Sequence, residues 1–360
     1  MESPVQAYKN SVGEETRTGE PALSVILPCY NEQEVLEETY RRVRAVCGRL
    51  SCSYELVFVN DGSVDGTWEQ LVKLASNDPT LVLINLSRNH GHQLALMAGL
   101  HMCRGERIAT MDADLQDPPE LLPEMLKLMD QGIDVVYARR RSRPGDSVKK
   151  RITCAIFYRV LGMLSDFEIP LDTGDFRIIN RRVLDVILQM PDRHPFFRGM
   201  VPWVGFRQMP FEYDRQERFA GKTKYPFGKL FRLAIDGVIS SSTKPLALAG
   251  FCGGIAAVFA LGLLVYAFGA WVFASQVPRG WTSLLIAFSF LSSIQLLVLG
   301  IIGLYLGRLY GQSQGRPLFV IEQIVQFPKG RPGQQEVVDE DLTLPQYKKP
   351  GESKPSVGSY

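Results

Sequence analysis

Arg107-Ile108-Ala109-Thr110-Met111-Asp112-Ala113-Asp114-Leu115-Gln116 runs from a short apolar strand directly into paired carboxylates. Two aspartates two residues apart at a strand end can both reach a hard cation such as Mg2+ or Mn2+, leaving coordination positions for diphosphate oxygens and water. An ion held there neutralises charge growing on a departing nucleoside diphosphate. Asp-x-Asp alone is a common pair that also serves as a solvated turn or a helix cap. Its surroundings decide between these readings.

Upstream, strand and helix patterns alternate. Leu23 to Pro28 is a β-branched run ended by proline, and apolar residues recur at helical spacing from Glu34 to Leu50. Tyr54 to Val59 gives a second strand, closed by Asn60-Asp61-Gly62-Ser63, before a helix over Thr67 to Ala75. Leu81 to Leu86 is a third strand, Gln93 to Cys103 a helix, and Arg107 to Met111 the fourth strand. Such alternation predicts an α/β fold with a parallel sheet and ligands gathered at the strands' carboxyl ends.

The 360 residues carry 40 Lys+Arg against 38 Asp+Glu, and a net charge of +2 argues against a general nucleic-acid binder. The six cysteines form no CxxC pair and fit buried, reduced thiols on a cytosolic face. Downstream, 148–164 and 225–239 mix Lys and Arg with Ile, Phe and Leu, which suits either helices lying on a bilayer surface or ordinary core helices. Leu246 to Ala274 and Thr282 to Gly307 contain no charged residue, and each exceeds the ~20 residues that cross a hydrocarbon core. A transmembrane hairpin is therefore expected. Lys222, Lys224, Lys229, Arg232 and Lys244 before it, and Arg308, Arg316 and Lys329 after it, outnumber Arg279 in its loop. That bias puts the catalytic domain and both termini in the cytoplasm, at the inner (plasma) membrane. The expected organisation is a disordered leader 1–22, a catalytic domain 23–243, membrane helices 244–308, a strand-like segment 309–328 and a disordered tail 329–360.

Three motifs in order, Val25-Ile26-Leu27-Pro28-Cys29-Tyr30-Asn31-Glu32, Val59-Asn60-Asp61-Gly62-Ser63-Val64-Asp65-Gly66-Thr67 and Asp112 to Pro119, resemble those of the family 2 glycosyltransferases with the Rossmann-like GT-A fold. Within that family the chain is similar to polyprenyl-phosphate glycosyltransferases, the group of dolichol-phosphate mannose synthases and bacterial GtrB-type glucosyltransferases. Asp172 to Arg177, Arg198 to Trp203 and Arg218 to Tyr225 extend the likeness, and so does the two-span hairpin. The resemblance implies nucleotide contacts at Pro28, Tyr30, Glu32, Asp61, Gln93 and Asp112. It implies metal ligands Asp112, Asp114 and Gln116, with Asp114 and Asp175 as the catalytic carboxylates. Glu32 also suits a helix N-terminus, and Tyr30 offers a ring face to a base.

The implied acceptor is a lipid phosphate, with Arg139, Arg151, Arg177, Arg218, Lys222 and Lys224 as its ligands, or as interfacial groups holding anionic headgroups. A phosphate monoester with a second pKa near ~6 is already largely dianionic, so a base is optional. Asp175 is the candidate base, or a strand-end carboxylate pinning Arg177. His90 and His92 read as loop residues, since no third ligand stands near them in the sequence. The expected reaction moves glucose from UDP-glucose to polyprenyl (undecaprenyl) phosphate with inversion. GDP-mannose or a modified sugar is the alternative donor, and a processive polysaccharide synthase or a non-catalytic nucleotide-binding membrane protein the alternative function. Strand-like Leu318 to Val325 suggests pairing between subunits in a homo-oligomer.

Overall fold

The computed structural model of the chain describes residues 20–141, 173–190, 192–193, 195–214, 244–273, 280–327 and 336–337. The surface-helix expectations at 148–164 and 225–239, the leader before residue 20 and the tail after 337 lie outside the described residues. The chain divides into two compact units, the second built mainly from 226–314.

The first unit is a nine-stranded sheet in the order β7-β5-β6-β4-β1-β2-β3-β8-β9. Its strands are β1 (Leu23–Cys29), β2 (Tyr54–Asn60), β3 (Leu81–Leu86), β4 (Arg107–Thr110), β5 (Val135–Arg140), β6 (Thr173–Asn180), β7 (Gln208–Tyr213), β8 (Ile321–Gln326) and β9 (Glu336–Val337). Its helices are α1 (Leu36–Cys47), α2 (Thr67–Ala75), α3 (His92–Met102), α4 (Leu122–Asp130), α5 (Arg181–Leu188) and α6 (Phe197–Val204).

Every residue of β1 is buried, because the sheet is covered on both faces and the period of two sends alternate side chains into two cores. Val25 and Leu27 meet Leu36 and Val43 of α1, Leu71 of α2 and Met125 of α4 in one core. Ile26 joins Leu96 and Leu100 of α3, Val183 and Leu184 of α5 and Phe197 in the other. Each fully buried side chain of this size contributes roughly 1.5–3 kcal/mol. Gly99 brings α3 against β1 so closely that a Cβ would stand 2.4 Å from Ile26 Cγ2.

The parallel sheet expected from strand–helix alternation is present as β3-β2-β1-β4. Beyond it the sheet is mixed: β6 runs antiparallel to β4 and β5, and β8 antiparallel to β3. Alternation reports only the crossovers between parallel neighbours, so these edge pairings left no trace in it. In its own chain β8 occupies the edge of β3. The ends of β1, β2, β3 and β4 all open on one side of the sheet, where residues 30–33, 61–66, 87–91 and 111–117 meet.

The second unit holds α7 (Lys244–Phe273, 30 residues) and α8 (Trp281–Ser313, 33 residues), each on the order of 45–50 Å long. Phe259 and Phe290 pack edge-to-face with centroids 6.1 Å apart. Among the described residues one stretch, Ala287–Ser313 of α8, is long and apolar enough to cross a membrane, and α7 contributes the shorter apolar stretch Leu246–Gly262. Leu284, Phe288, Leu296, Leu299 and Leu306 stand exposed along α8, the reverse of a soluble core helix.

Candidate active site

The loops after β1 and β2 are laced together by side chains. Asn31, at φ 52°, accepts the Val64 N–H at 2.9 Å through Oδ1 and donates its own N–H to Ser63 Oγ at 3.0 Å. Gln33 Oε1 accepts the Gly66 N–H at 2.8 Å, and the Glu32 N–H reaches Thr67 Oγ1 at 3.0 Å. The Glu32 carbonyl accepts the N–H groups of Val35 and Leu36 where α1 starts. Pro28 lies buried within β1, whereas the Tyr30 ring is exposed beside these loops.

Asp61 is buried at the end of β2 and binds the next loop with both oxygens: Oδ1 accepts the His90 N–H at 2.7 Å and Oδ2 the Gly91 N–H at 2.9 Å. Burial raises its carboxyl above the usual range despite those bonds. Gly62 sits at φ +63° with a would-be Cβ 2.4 Å from the Arg88 carbonyl carbon, so only glycine lets the two loops touch. Asp61 thus shapes the pocket in addition to any nucleotide contact.

The carboxylates converge at the end of β4. Asp112 Oδ1 is buried with no hydrogen-bond partner, and His92 Nε2 lies 3.4 Å from it. Burial, then the charges of Asp117, Asp175 and Asp114, push the Asp112 carboxyl up to about 6 against the pull of His92. Asp114 is buried and accepts the Gln116 N–H at 3.1 Å, while Leu115 between them is held at φ 58°. Asp117 is fully buried, accepts the Tyr213 hydroxyl and stands 3.8 Å from Arg140 Nη2.

Asp175 of β6 is paired with Arg198, not with Arg177. Arg198 donates to it twice, Nε to Oδ1 and Nη2 to Oδ2, both at 2.9 Å. His92 Nε2 stands 3.1 Å and Gln93 Nε2 3.2 Å from the same Oδ2. Burial alone would raise this carboxyl, but Arg198 and His92 hold it well below the usual range. His92 in turn is lifted to about 9: burial opposes, and the bond to Asp175 and the Asp112 charge prevail.

His92, Asp112 and Asp175 are the described donors whose ligand atoms come within 4.8 Å of one another. His92 opens α3 rather than standing in a bare loop, and its carboxylate neighbours come from β4 and β6, distant in sequence and adjacent in the fold. His90 differs, since its Nε2 is buried without a hydrogen-bond partner. A hard divalent cation suits Asp112, whose buried Oδ1 has no hydrogen-bond partner. Asp175 fits it less well, both its oxygens being engaged by a guanidinium.

Of the expected acceptor ligands, Arg139 is exposed and paired with Glu212. Arg177 is buried, donates to the Gly174 carbonyl at 2.9 Å and lies over the Phe197 ring at 5.0 Å, and burial brings its guanidinium down to about 10. Its packing is that of a structural cation. Arg151, Arg218, Lys222 and Lys224 lie outside the described residues. Arg198, which sequence left without a role, is among the described cations that reach the site.

A family model for glycosyl transferase family 2 matches residues 24–188. The uncharacterized glycosyltransferase YkcC of Bacillus subtilis is 43% identical over 83% of this chain and 93% of its own length. A prophage bactoprenol glucosyl transferase homolog of Escherichia coli is 37% identical over 84% of this chain and 99% of its own. Among solved structures, a mannosyltransferase of Pyrobaculum calidifontis with GDP-Man and Mn2+ aligns at 20% identity and TM-score 0.41, over 78% of this chain and 88% of its own.

Proposed function

The chain belongs to glycosyl transferase family 2, and from that premise we propose that it transfers a hexose from a nucleotide-sugar to a polyprenyl phosphate at a membrane surface. Glucose from UDP-glucose to undecaprenyl phosphate is the specific reaction we infer. Its support is the length over which the chain matches relatives named bactoprenol glucosyl transferases, together with an exposed apolar helix of membrane-crossing length. The observation that carries the reading is the orphaned oxygen of Asp112 at the end of β4, in a turn rich in hard oxygen donors.

In this reading Tyr30, Glu32 and Asp61 line the nucleoside pocket beside buried Pro28, with Gln93 toward the diphosphate. Asp112, Asp114 and Gln116 hold Mg2+ or Mn2+, which when bound offsets the charge of the leaving nucleoside diphosphate. A phosphate oxygen of the acceptor attacks the anomeric carbon, and the bond from that carbon to the donor's diphosphate oxygen breaks on the opposite face, inverting the centre. The dianionic acceptor needs no proton removed. Arg139, Arg151, Arg218, Lys222 and Lys224 present it at the bilayer edge. We place both apolar helices across the membrane, the catalytic domain 23–243 and both termini on the cytoplasmic side, following the charge bias of the flanks.

The test is direct. Purified full-length chain, UDP-glucose labelled in the sugar, undecaprenyl phosphate and Mn2+ are incubated and the organic phase is counted. Label should enter the lipid and a chelator should abolish it. Label appearing only in water or on soluble sugars would sink the lipid assignment.

A further inference from the structure

A carboxylate that takes a proton from an incoming group needs to face that group. Asp175 faces inward: its side chain is 2% exposed, and four nitrogens of α3 and α6 surround its two oxygens at 2.9–3.2 Å. The Arg198 bond is the two-point fork that fixes a guanidinium in plane and direction. The same carboxylate also fixes His92, and Gln93 ties the two helices by accepting the Phe197 N–H at 3.0 Å. The Asp175 carbonyl accepts the Thr110 hydroxyl at the end of β4, two residues before Asp112, so the anchor is built into the sheet. Arg198 and His92 are each about a third exposed, 31% and 32%, and His92 reaches to 3.4 Å from Asp112. A buried anion thus holds the partly exposed Arg198 guanidinium, with the His92 ring beside it, next to the turn after β4.

We propose that Asp175 is a positioning residue and that the Arg198 it holds, with His92 beside it, binds a substrate phosphate next to Asp112. The inference rests on the proposed transfer, since it concerns the phosphates of that reaction. Two phosphates qualify, the donor's diphosphate and the acceptor's monoester, and both offer the oxygens a guanidinium recognises.

The full chain in detergent is compared with Asp175→Asn, Arg198→Ala, Arg198→Lys and the Asp175→Asn/Arg198→Ala double variant, with melting temperatures measured alongside. For each, kcat and KM are determined for both substrates across pH, and uridine and guanosine diphosphate are titrated with Mn2+ by calorimetry. Asp175→Asn and Arg198→Ala should raise one KM roughly 10- to 100-fold, the scale of a lost charge-assisted bond, with a smaller change in kcat. Arg198→Lys should recover part of the loss. The double variant should match Arg198→Ala within about two-fold, as residues acting through one another do. A donor phosphate is indicated when nucleotide-sugar KM and nucleoside diphosphate Kd rise together, and an acceptor phosphate when only the lipid KM rises.

The clamp is overturned if Asp175→Asn collapses kcat with both KM values unchanged and the acid limb of the pH profile lost, while Arg198→Ala is near wild type. If Asp175→Asn fails to fold, the two variants of the partly exposed Arg198 decide alone, and unchanged KM values there overturn it too. A wild-type chain that makes no lipid-linked sugar refutes the transfer reading separately. In that event, nucleoside diphosphate and undecaprenyl phosphate are each titrated, and unchanged Kd values for both in Arg198→Ala refute the clamp as well.

Discussion

At the scale of single residues, the turn after β4 concentrates charge that water or a cation must offset. The charges of Asp117, Asp175 and Asp114 all bear on Asp112 there. Replacing Asp112 or Asp114 with alanine is expected to cut transfer by roughly 100-fold or more, the scale seen when a group stabilising transition-state charge is removed. Rate assays at matched protein level and matched circular dichroism check this; full activity in either variant would exclude its carboxylate from the chemistry. The acidic turn after β4 was legible because strand, aspartate pair and motif order coincide locally. His92 and Arg198 were not, because their partner Asp175 lies 83 and 23 residues away and only the sheet brings them together. Arg177 misled for the converse reason: two residues past Asp175 on a strand it shares the same face, yet it is sealed under Phe197.

A second residue, Asp78, reports on pH. It is buried, and burial would raise its carboxyl, but Thr80 donates N–H and Oγ1, Tyr40 donates its hydroxyl at 2.8 Å and Arg44 stands at 2.7 Å, so the net shift is downward. A carboxylate depressed in the folded state stabilises fully above its unfolded value, near ~3.9, and that stability is lost as pH falls through the lower folded value. Melting temperature should thus drop more steeply in the wild type than in Asp78→Asn between pH 5 and pH 3, the variant starting lower by about 1–3 kcal/mol of stability. Parallel curves would remove Asp78 from the acid response.

At the scale of elements, β1 to β4 and α1 to α3 follow the read pattern within a residue or two at most ends, since fully buried parallel strands are continuous apolar runs and their helices are long. α1 departs most: the periodic stretch from Glu34 to Leu50 yields a helix only over Leu36–Cys47, its first turn replaced by the Glu32 carbonyl turn. β7 gave no such signal; Gln208-Met209-Pro210-Phe211-Glu212-Tyr213 is half exposed and interrupted by proline, as an edge strand allows. The contact of α3 with β1 is the tightest junction between elements that glycine permits here. Gly99→Val should force Ile26 and Val59 apart and cost about 1–3 kcal/mol by overpacking, read as a lower melting temperature. A paired Ile26→Ala should restore part of it; failure to do so would place the clash elsewhere.

At the scale of the whole chain, the order of elements carries a consequence that the motifs alone hide. The two apolar helices lie in sequence between β7 and β8, so β8 returns to the sheet only after them. There it fills the edge of β3 and buries Phe319, Ile324 and Val325, each about 1% exposed or less. Glu322 adds a bond from the Asn85 amide at 2.8 Å, and Asn85 accepts from Asn60 at the end of β2. A chain stopped at residue 243 therefore loses core and exposes a central strand as an edge, a site for pairing with other chains. At roughly 1.5–3 kcal/mol for each large buried side chain, that loss is comparable with the whole stability of an ordinary domain. The truncated chain should aggregate or melt well below the full protein in detergent, although it keeps every motif of the catalytic domain. Adding residues 315–327 back through a flexible linker should recover solubility and melting temperature. Should the chain ending at 243 melt as high as that linked form, β8 contributes nothing to the catalytic fold and the pairing with β3 is dispensable.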